Sequence, residues 1–503
     1  MEINLVSNAL LFFFVYLVYK SLARRRYRLP PSPAVSFPII GHLHLLKHPL
    51  HRRLHQLSRI SGGQILYLKL GVRRAIVVSS VDLVEECLAK NDTIFANRPH
   101  LLVDKYVGYN HRTISGSSYG DHWRSLRRIV AQDLLSVARL NGFLHIRAEE
   151  IRHLLAGLEK ASRNGFSKVG LRARLSELSF NVVVRMIAGK RYFTQEKEGE
   201  QRGFLEMIKQ VFEIAQTSNP QDFLPFLQWI DYGGFKKKII PLSKELDGLF
   251  QSLVDEHRVE KKNTMIGHLN QINNSIFQHL TLQLATPCIH NTQNMILAGT
   301  DTSSVTVEWA MSLLVNHPHV LEKARKELDS QVGLHRLIDE EDLPNLPYLR
   351  SIISETFRLF PPGPLLIPHQ SSEDCVVGGY DIPRGTMLLI NVWAVHRDPD
   401  VWEQPTIFNP DRFEGKDQLD QKYKLLPFGV GKRACPGLGL GQRTVGLALG
   451  SLIQCFEWER TTVEEVDLHE GLGLTMPKLN PLEVMCKPRA AMYEVIQGAI
   501  SQG

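Results

Sequence analysis

Eleven residues near the C-terminus constrain this chain more than any other feature: Pro427-Phe428-Gly429-Val430-Gly431-Lys432-Arg433-Ala434-Cys435-Pro436-Gly437. Gly429 and Gly431 before Cys435, with Gly437 and Gly439 after it, permit a tight backbone loop around the sulfur. Such a loop aims backbone N–H groups at the sulfur, which stabilises a thiolate and tunes a metal bound to it. Residues 438–456 are apolar at helical spacing and read as a buried helix backing the loop. The plainer alternative is an inert cysteine buried in a glycine turn. Cys87, Cys288, Cys375, Cys455 and Cys486 are scattered without paired spacing and read as small hydrophobes in a reducing compartment.

With 43% hydrophobic and 22% charged residues the composition is that of a folded globular protein, without internal repeats. The net charge of +7 does not imply nucleic-acid binding. Lys20, Arg24, Arg25, Arg26 and Arg28 concentrate five positive charges within nine residues, and the remainder is only mildly basic. Before them, residues 3–19 are mostly apolar and, extended to residue 23, reach the length that crosses a bilayer, roughly 20 residues. Glu2 precedes the stretch and arginines follow it, which favours an uncleaved anchor with everything after Lys20 in the cytosol. The expected organisation is an N-terminal membrane anchor (1–23), a basic and proline-rich hinge (24–41), and one catalytic domain (42–503). Residues 65–78 predict two short strands around Gly71, and residues 81–332 are mainly helical. A second strand-rich patch is expected over 375–392, giving a mainly α fold with minor β (α+β).

Other polar groups sit in apolar surroundings. Glu355 and Arg358 share a helix face at i, i+3, flanked by Ile352, Ile353, Phe357 and Leu359. Burial there makes an unpaired charge costly, and Arg412 is a candidate third partner. Leu297-Ala298-Gly299-Thr300-Asp301-Thr302-Ser303 runs into an apolar helical pattern, placing small residues beside an acid and an alcohol. Trp123 and Arg127 share a helix face at i, i+4.

Taken together these stretches resemble the cytochromes P450. Phe428, Gly431, Arg433, Cys435 and Gly437 fill the five fixed places of that family's cysteine-ligand loop. A chance match is expected in about one of several thousand chains of this length. The resemblance spans nearly everything after the anchor and implies the P450 fold, haem b, and Cys435 as axial ligand to the iron. It implies that Thr302 hydrogen-bonds dioxygen, that Asp301 relays protons for O–O cleavage, and that Trp123, Arg127, His369 and Arg433 hold the haem propionates. Arg98 matches a further position of that kind. Glu355, Arg358 and Arg412 resemble the family's structural lock beneath the haem. The implied partners are NADPH–cytochrome P450 reductase, docking on a basic patch that Lys432 joins, dioxygen and a small hydrophobic substrate. The implied location is the endoplasmic reticulum membrane, single-pass, with no nucleic-acid partner.

The Pro-Pro-Ser-Pro hinge, Phe-Ala-Asn-Arg-Pro and residues 471–477 resemble a plant clan of isoflavone 2′- and 3′-hydroxylases, lignan oxidases and triterpene hydroxylases. A phenolic or triterpenoid substrate is therefore expected, in a pocket lined by residues 106–122, 365–367 and 474–476. Residues 266–294 depart from the pattern: Pro287 and the polar run 290–294 replace an apolar approach to the Ala298-Gly299 motif. Either a helix starts near Pro287, or the segment reflects a mistaken exon boundary. The second option keeps open an inactive or non-oxygenase haem-binding paralogue. A haem-thiolate isomerase fits less well, because Asp301 and Thr302 form the pair that such relatives tend to lose.

Overall fold

The structure is a computed structural model that describes residues 27–33, 36–191, 198–216, 219–259, 264–269, 285–415 and 421–501, with Leu11, Phe14 and Val15 before them. Apart from those three residues the expected anchor lies outside the described residues. Among the described residues no helix is long and apolar enough to cross a membrane.

The described residues form nine strands, in chain order β1 (Ile65–Leu70), β2 (Arg73–Val78), β3 (Ser167–Gly170), β4 (His369–Gln370), β5 (Cys375–Val377), β6 (Tyr380–Ile382), β7 (Met387–Ile390), β8 (Phe456–Arg460) and β9 (Glu483–Pro488). The main sheet runs β1-β2-β7-β4, with β2 and β7 parallel and the other pairs antiparallel. Both faces of this sheet are covered, so β1 reads as a nearly continuous apolar run. Alternate side chains enter different cores: Ile65 and Tyr67 join one with Ile76 and Leu388, while Leu66, Leu68 and Leu70 join another with Val77 and Met387. Gly71 turns between β1 and β2 at φ +56°, as expected.

Two features differ from expectation. A second sheet, β3-β9-β8, closes across the C-terminal part of the chain and was not legible in the pattern. The hinge is also more closely bound than a spacer: the Tyr67 amide donates to Pro31 O at 2.7 Å and the Asp381 amide to Arg28 O at 2.9 Å.

The helices that position the site are α1 (Asp121–Arg128), α2 (Leu144–Ser162), α3 (Leu171–Ala188), α4 (Glu198–Gln216), α5 (Ala285–Asn316), α6 (Pro347–Leu359) and α7 (Leu438–Cys455). Helix α5 lies centrally, packed most extensively on α3 and also against α6 and α7. Its apolar residues Val305, Trp309, Leu313 and Leu314 are all buried in the largest core. Trp309 stacks on Phe360 with ring centroids 3.8 Å apart. Pro347 opens α6 at a position where its missing N–H costs nothing. Cys87, Cys455 and Cys486 are buried as expected, and Cys375 is half-buried.

Candidate active site

The loop before α7 is held by its own backbone. The Cys435 amide donates to Phe428 O at 2.8 Å, closing the turn, and Gly429 and Gly431 adopt φ of +63° and +74°. Gly431 is required twice over. Its conformation disfavours a side chain, and a Cβ there would lie 2.6 Å from Asp92 Oδ1 and 2.7 Å from Leu88 O. Asp92 also accepts the Lys432 amide at 3.0–3.1 Å. The Gly437 amide donates to Cys435 Sγ at 3.3 Å. Burial pushes the Cys435 thiol up, while that N–H and the Arg127 charge pull it back down. By area the sulfur is exposed although protein surrounds it on most sides, the geometry of an atom on the floor of a recess.

Cationic and donor groups converge beside this loop. Arg127 donates to Ala434 O at 2.7 Å, and the Trp123 indole donates to Ile114 O at 3.1 Å. Arg433 lies 4.4 Å over the Trp123 ring and donates to Ala96 O at 2.6 Å and to Ile114 O at 3.2 Å. Arg98 is buried and donates to Ile367 O at 2.7 Å, Pro368 O at 2.9 Å and Ser115 O at 3.1 Å. Among the described residues no carboxylate forms an ion pair with Arg98, Arg127 or Arg433. Burial and the nearby Arg433 charge lower Arg98 to about 9, and burial and Arg127 lower Arg433 to about 10. Buried guanidinium groups without an acid of their own form the donor set that a carboxylate-bearing cofactor needs. His369 Nδ1 lies 2.9 Å from Phe95 O, which only accepts, so Nδ1 carries the hydrogen. Burial and the Arg98 charge hold this imidazole neutral, far below its ordinary range. A donor at Nε2 requires the protonated ring, a form that a neighbouring carboxylate would favour.

Beneath the loop, Glu355 and Arg358 form a fully buried bidentate pair at 2.7 Å, and Arg412 Nε donates to Glu355 Oε1 at 3.1 Å. The Asn409 amide donates to the same carboxylate at 2.9 Å. Arg358 spends its remaining hydrogens on the carbonyls of His396, Pro405 and Ile407. All five N–H groups of Arg358 and both oxygens of Glu355 have partners, which is the condition for burying such charges. Neutral His396 ties triad to loop: Nδ1 donates to Arg358 O, and Nε2 accepts the Leu426 amide at 2.8 Å.

Helix α5, which packs against α7 behind the loop, is helical through residues 297–303 without interruption. Thr302 Oγ1 donates to Ala298 O at 2.9 Å, and Asp301 accepts a short hydrogen bond from Thr475. Burial raises the Asp301 carboxyl while the Thr475 hydroxyl lowers it, the net shift being upward. Gly299 does not serve as open space. A Cβ there would stand 2.9 Å from Val183 Cγ2, so this glycine lets α3 and α5 approach. Ala298 is the small residue on the exposed side.

An apolar cavity of about 180 Å³ is lined by Leu365, Leu366, Leu474, Thr475 and Met476. These come from two of the three expected substrate stretches, whereas Ile367 and residues 106–122 do not line it. A larger concavity of about 940 Å³, lined by Arg152, Asp339 and Val495, includes none of the candidate site residues.

Of the unusual stretch, residues 270–284 lie outside the described residues. Helix α5 is described from Ala285, which places Pro287 in its first turn, where a missing N–H is tolerated. The polar run is satisfied in part. Gln293 donates to Val107 O at 2.7 Å and Asn294 accepts from Ser115 Oγ at 2.8 Å, although Thr292 Oγ1 and Gln293 Oε1 find no partner among the described residues. Sequence reasoning missed the roles of Asp92 and Thr475 and underrated Arg98.

The family model described as "Cytochrome P450" matches residues 30–483, unusual stretch included. The chain belongs to the cytochrome P450 family. It is 51% identical to cytochrome P450 81Q32 of Catharanthus roseus over 97% of this chain and 99% of that protein. Identity to the (+)-piperitol/(+)-sesamin synthase CYP81Q2 of Sesamum radiatum is 48%, over 99% of each chain. Identity to an isoflavone 3′-hydroxylase of Medicago truncatula is 47%, over 94% of this chain and 95% of that protein. A solved zebra fish cytochrome P450 with progesterone superposes with a TM-score of 0.76 at 26% identity, covering 88% of this chain and 100% of that one. This P450 is a haem-thiolate monooxygenase, and the loop, sulfur and unpaired guanidinium groups fit the haem it requires. When bound, haem supplies the oxygen chemistry, and the cysteine thiolate favours O–O cleavage.

Proposed function

We propose that this P450 hydroxylates a hydrophobic plant phenolic of isoflavonoid or lignan type, using dioxygen and electrons from NADPH delivered by a membrane-bound reductase. The observation that carries this reading is the end-to-end match to relatives named for isoflavone and lignan chemistry. The apolar cavity walled by Leu365, Leu366, Leu474 and Met476 supports it, because such walls suit a flat hydrophobic skeleton. A triterpenoid such as a cucurbitane is the competing substrate class. In this reading Thr302 and Asp301 hold and deliver protons above the haem. Trp123, Arg127, His369 and Arg433 hold the propionates, and Glu355, Arg358 and Arg412 act structurally. Thr302 favours hydroxylation over methylenedioxy-bridge formation. The apolar residues 3–19 and the basic cluster after them support an endoplasmic reticulum anchor with the catalytic domain in the cytosol. Lys432, which shares Asp92 at 3.6 Å, joins the basic face offered to the reductase.

The test is incubation of microsomes holding the full chain and a plant reductase with an isoflavone, a furofuran lignan and a cucurbitane, with products read by mass spectrometry. A singly hydroxylated phenolic that requires NADPH and reductase is expected. Turnover of the triterpenoid alone would overturn the substrate class. Absence of any product from a haem-loaded enzyme would favour the inactive-paralogue reading.

A further inference from the structure

Thr475 sits on the loop between β8 and β9, a stretch whose sequence suggested only a pocket wall. It is buried, it lines the apolar cavity, and its hydroxyl donates to Asp301 Oδ2 on α5. The loop is fixed on both sides of it. The Trp309 indole donates to Met476 O at 2.7 Å, and the Met476 amide donates to Pro362 O at 3.0 Å. Before it, a Cβ on Gly473 would lie 2.7 Å from Thr475 O and 3.0 Å from Pro477 Cδ, so the local fold depends on glycine there.

Two other charges, Arg172 and Lys209, also lower the Asp301 carboxyl, each by less than the Thr475 hydrogen bond does. Arg172 of α3 pairs with Glu308 at 2.9 Å and donates to Lys478 O at 2.8 Å. Lys209 of α4 stands 3.8 Å from Glu206. Among the described residues no cation pairs with Asp301, and Thr475 is the side chain that donates to it.

We propose that Thr475 is a positioning residue for Asp301, coupling the acid's orientation and protonation to whatever occupies the cavity that Thr475 lines. A carboxylate holding one hydrogen bond in an otherwise desolvated place loses its main local stabilisation when that donor moves. Occupancy of the cavity beside Leu474 and Met476 thereby reaches a proton-handling group through one hydroxyl. The inference rests on the hydroxylase reading for its consequence, though not for its geometry.

The test uses the resting haem-loaded full chain without substrate. Difference infrared spectroscopy follows the protonated Asp301 carboxyl, identified by its loss in Asp301→Asn, as a function of pH. Removing a hydrogen bond to the charged form raises the carboxyl's pKa. Thr475→Val is therefore expected to move the midpoint up by about one pH unit, and Thr475→Ser to restore it to within a few tenths. Thr475→Ala serves the same comparison should valine disturb the loop. An unchanged midpoint in the hydroxyl-free variant overturns the proposal. So does an equal shift in Thr475→Ser, which would trace the effect to packing. In microsomes with the isoflavone probe, peroxide released per NADPH is expected to rise about threefold in Thr475→Val and to remain at the parent level in Thr475→Ser. Failure of the parent enzyme to oxidise any probe defeats the hydroxylase reading, while the infrared midpoint still decides the role of Thr475.

Discussion

The thiolate wall and the oxygen wall of this P450 are built on different terms. Around Cys435 the backbone is fixed by Gly429 and Gly431, by Asp92, and by a buried ion triad in which Arg358 uses all its donors. Across the site, α5 presents Thr302 bonded to its own helix, Asp301 raised by burial, and a buried Thr292 hydroxyl with no partner among the described residues. One wall holds a ligand in place and tolerates little change. The other keeps titratable and hydroxyl groups where, on the proposed reading, small substitutions alter chemistry before they alter the fold.

That contrast is open to direct attack. Arg358→Ala leaves Glu355 buried without its main partner, a loss of about 3–5 kcal/mol. Retained haem and thermal stability are expected to collapse together, and survival of both would break the comparison. Acid comes next. The His396 imidazole is lowered to about 3 by burial and by the Arg397 and Arg358 charges. A depressed folded-state value contributes stability above the unfolded value near 6.5 that is lost as pH falls through it toward 3. Across the whole window that is roughly 5 kcal/mol of folding stability. The carbon monoxide band of thiolate-ligated haem is expected to decline as pH drops below about 6, and an acid-stable band down to pH 4 would count against this role.

On the oxygen wall the effects are smaller and of another kind. Thr302→Val is expected to keep the carbon monoxide band while product formed per NADPH falls by about tenfold. Gly299→Ala gains helix propensity yet drives a methyl against Val183, for a net loss of about 1 kcal/mol in thermal unfolding. Val183→Ala in the same chain is expected to restore the stability. An unchanged melting temperature in the single variant would mean that α3 has room to yield.

The two walls also differ in how far the sequence reveals them. Positive-φ glycines around a cysteine are a local signal, so the thiolate loop is readable from a few consecutive residues. Glu355, Arg358 and Arg412 are readable because charges in apolar surroundings require partners. Gly299 is ambiguous in the sequence, since small size suits both an open wall and a tight helix crossing, and only the position of Val183 decides. Thr475 and Asp301 lie 174 residues apart, and nothing local to either names the other. Strand β3 is equally mute: Val169 is its one buried side chain, and its order comes from pairing with β9. Arg98 matches a propionate position in the sequence, but its burial shows only once the carbonyls of Ile367 and Pro368 are folded onto it.

The most direct measurement is carbon monoxide difference spectroscopy on three proteins prepared alike: the parent, Cys435→Ser and Thr302→Val. The parent and Thr302→Val are expected to show the thiolate-ligated band at equal height, and Cys435→Ser to lack it entirely. A band that survives in Cys435→Ser would contradict the assignment of the iron ligand and, with it, the division of the site into these two walls.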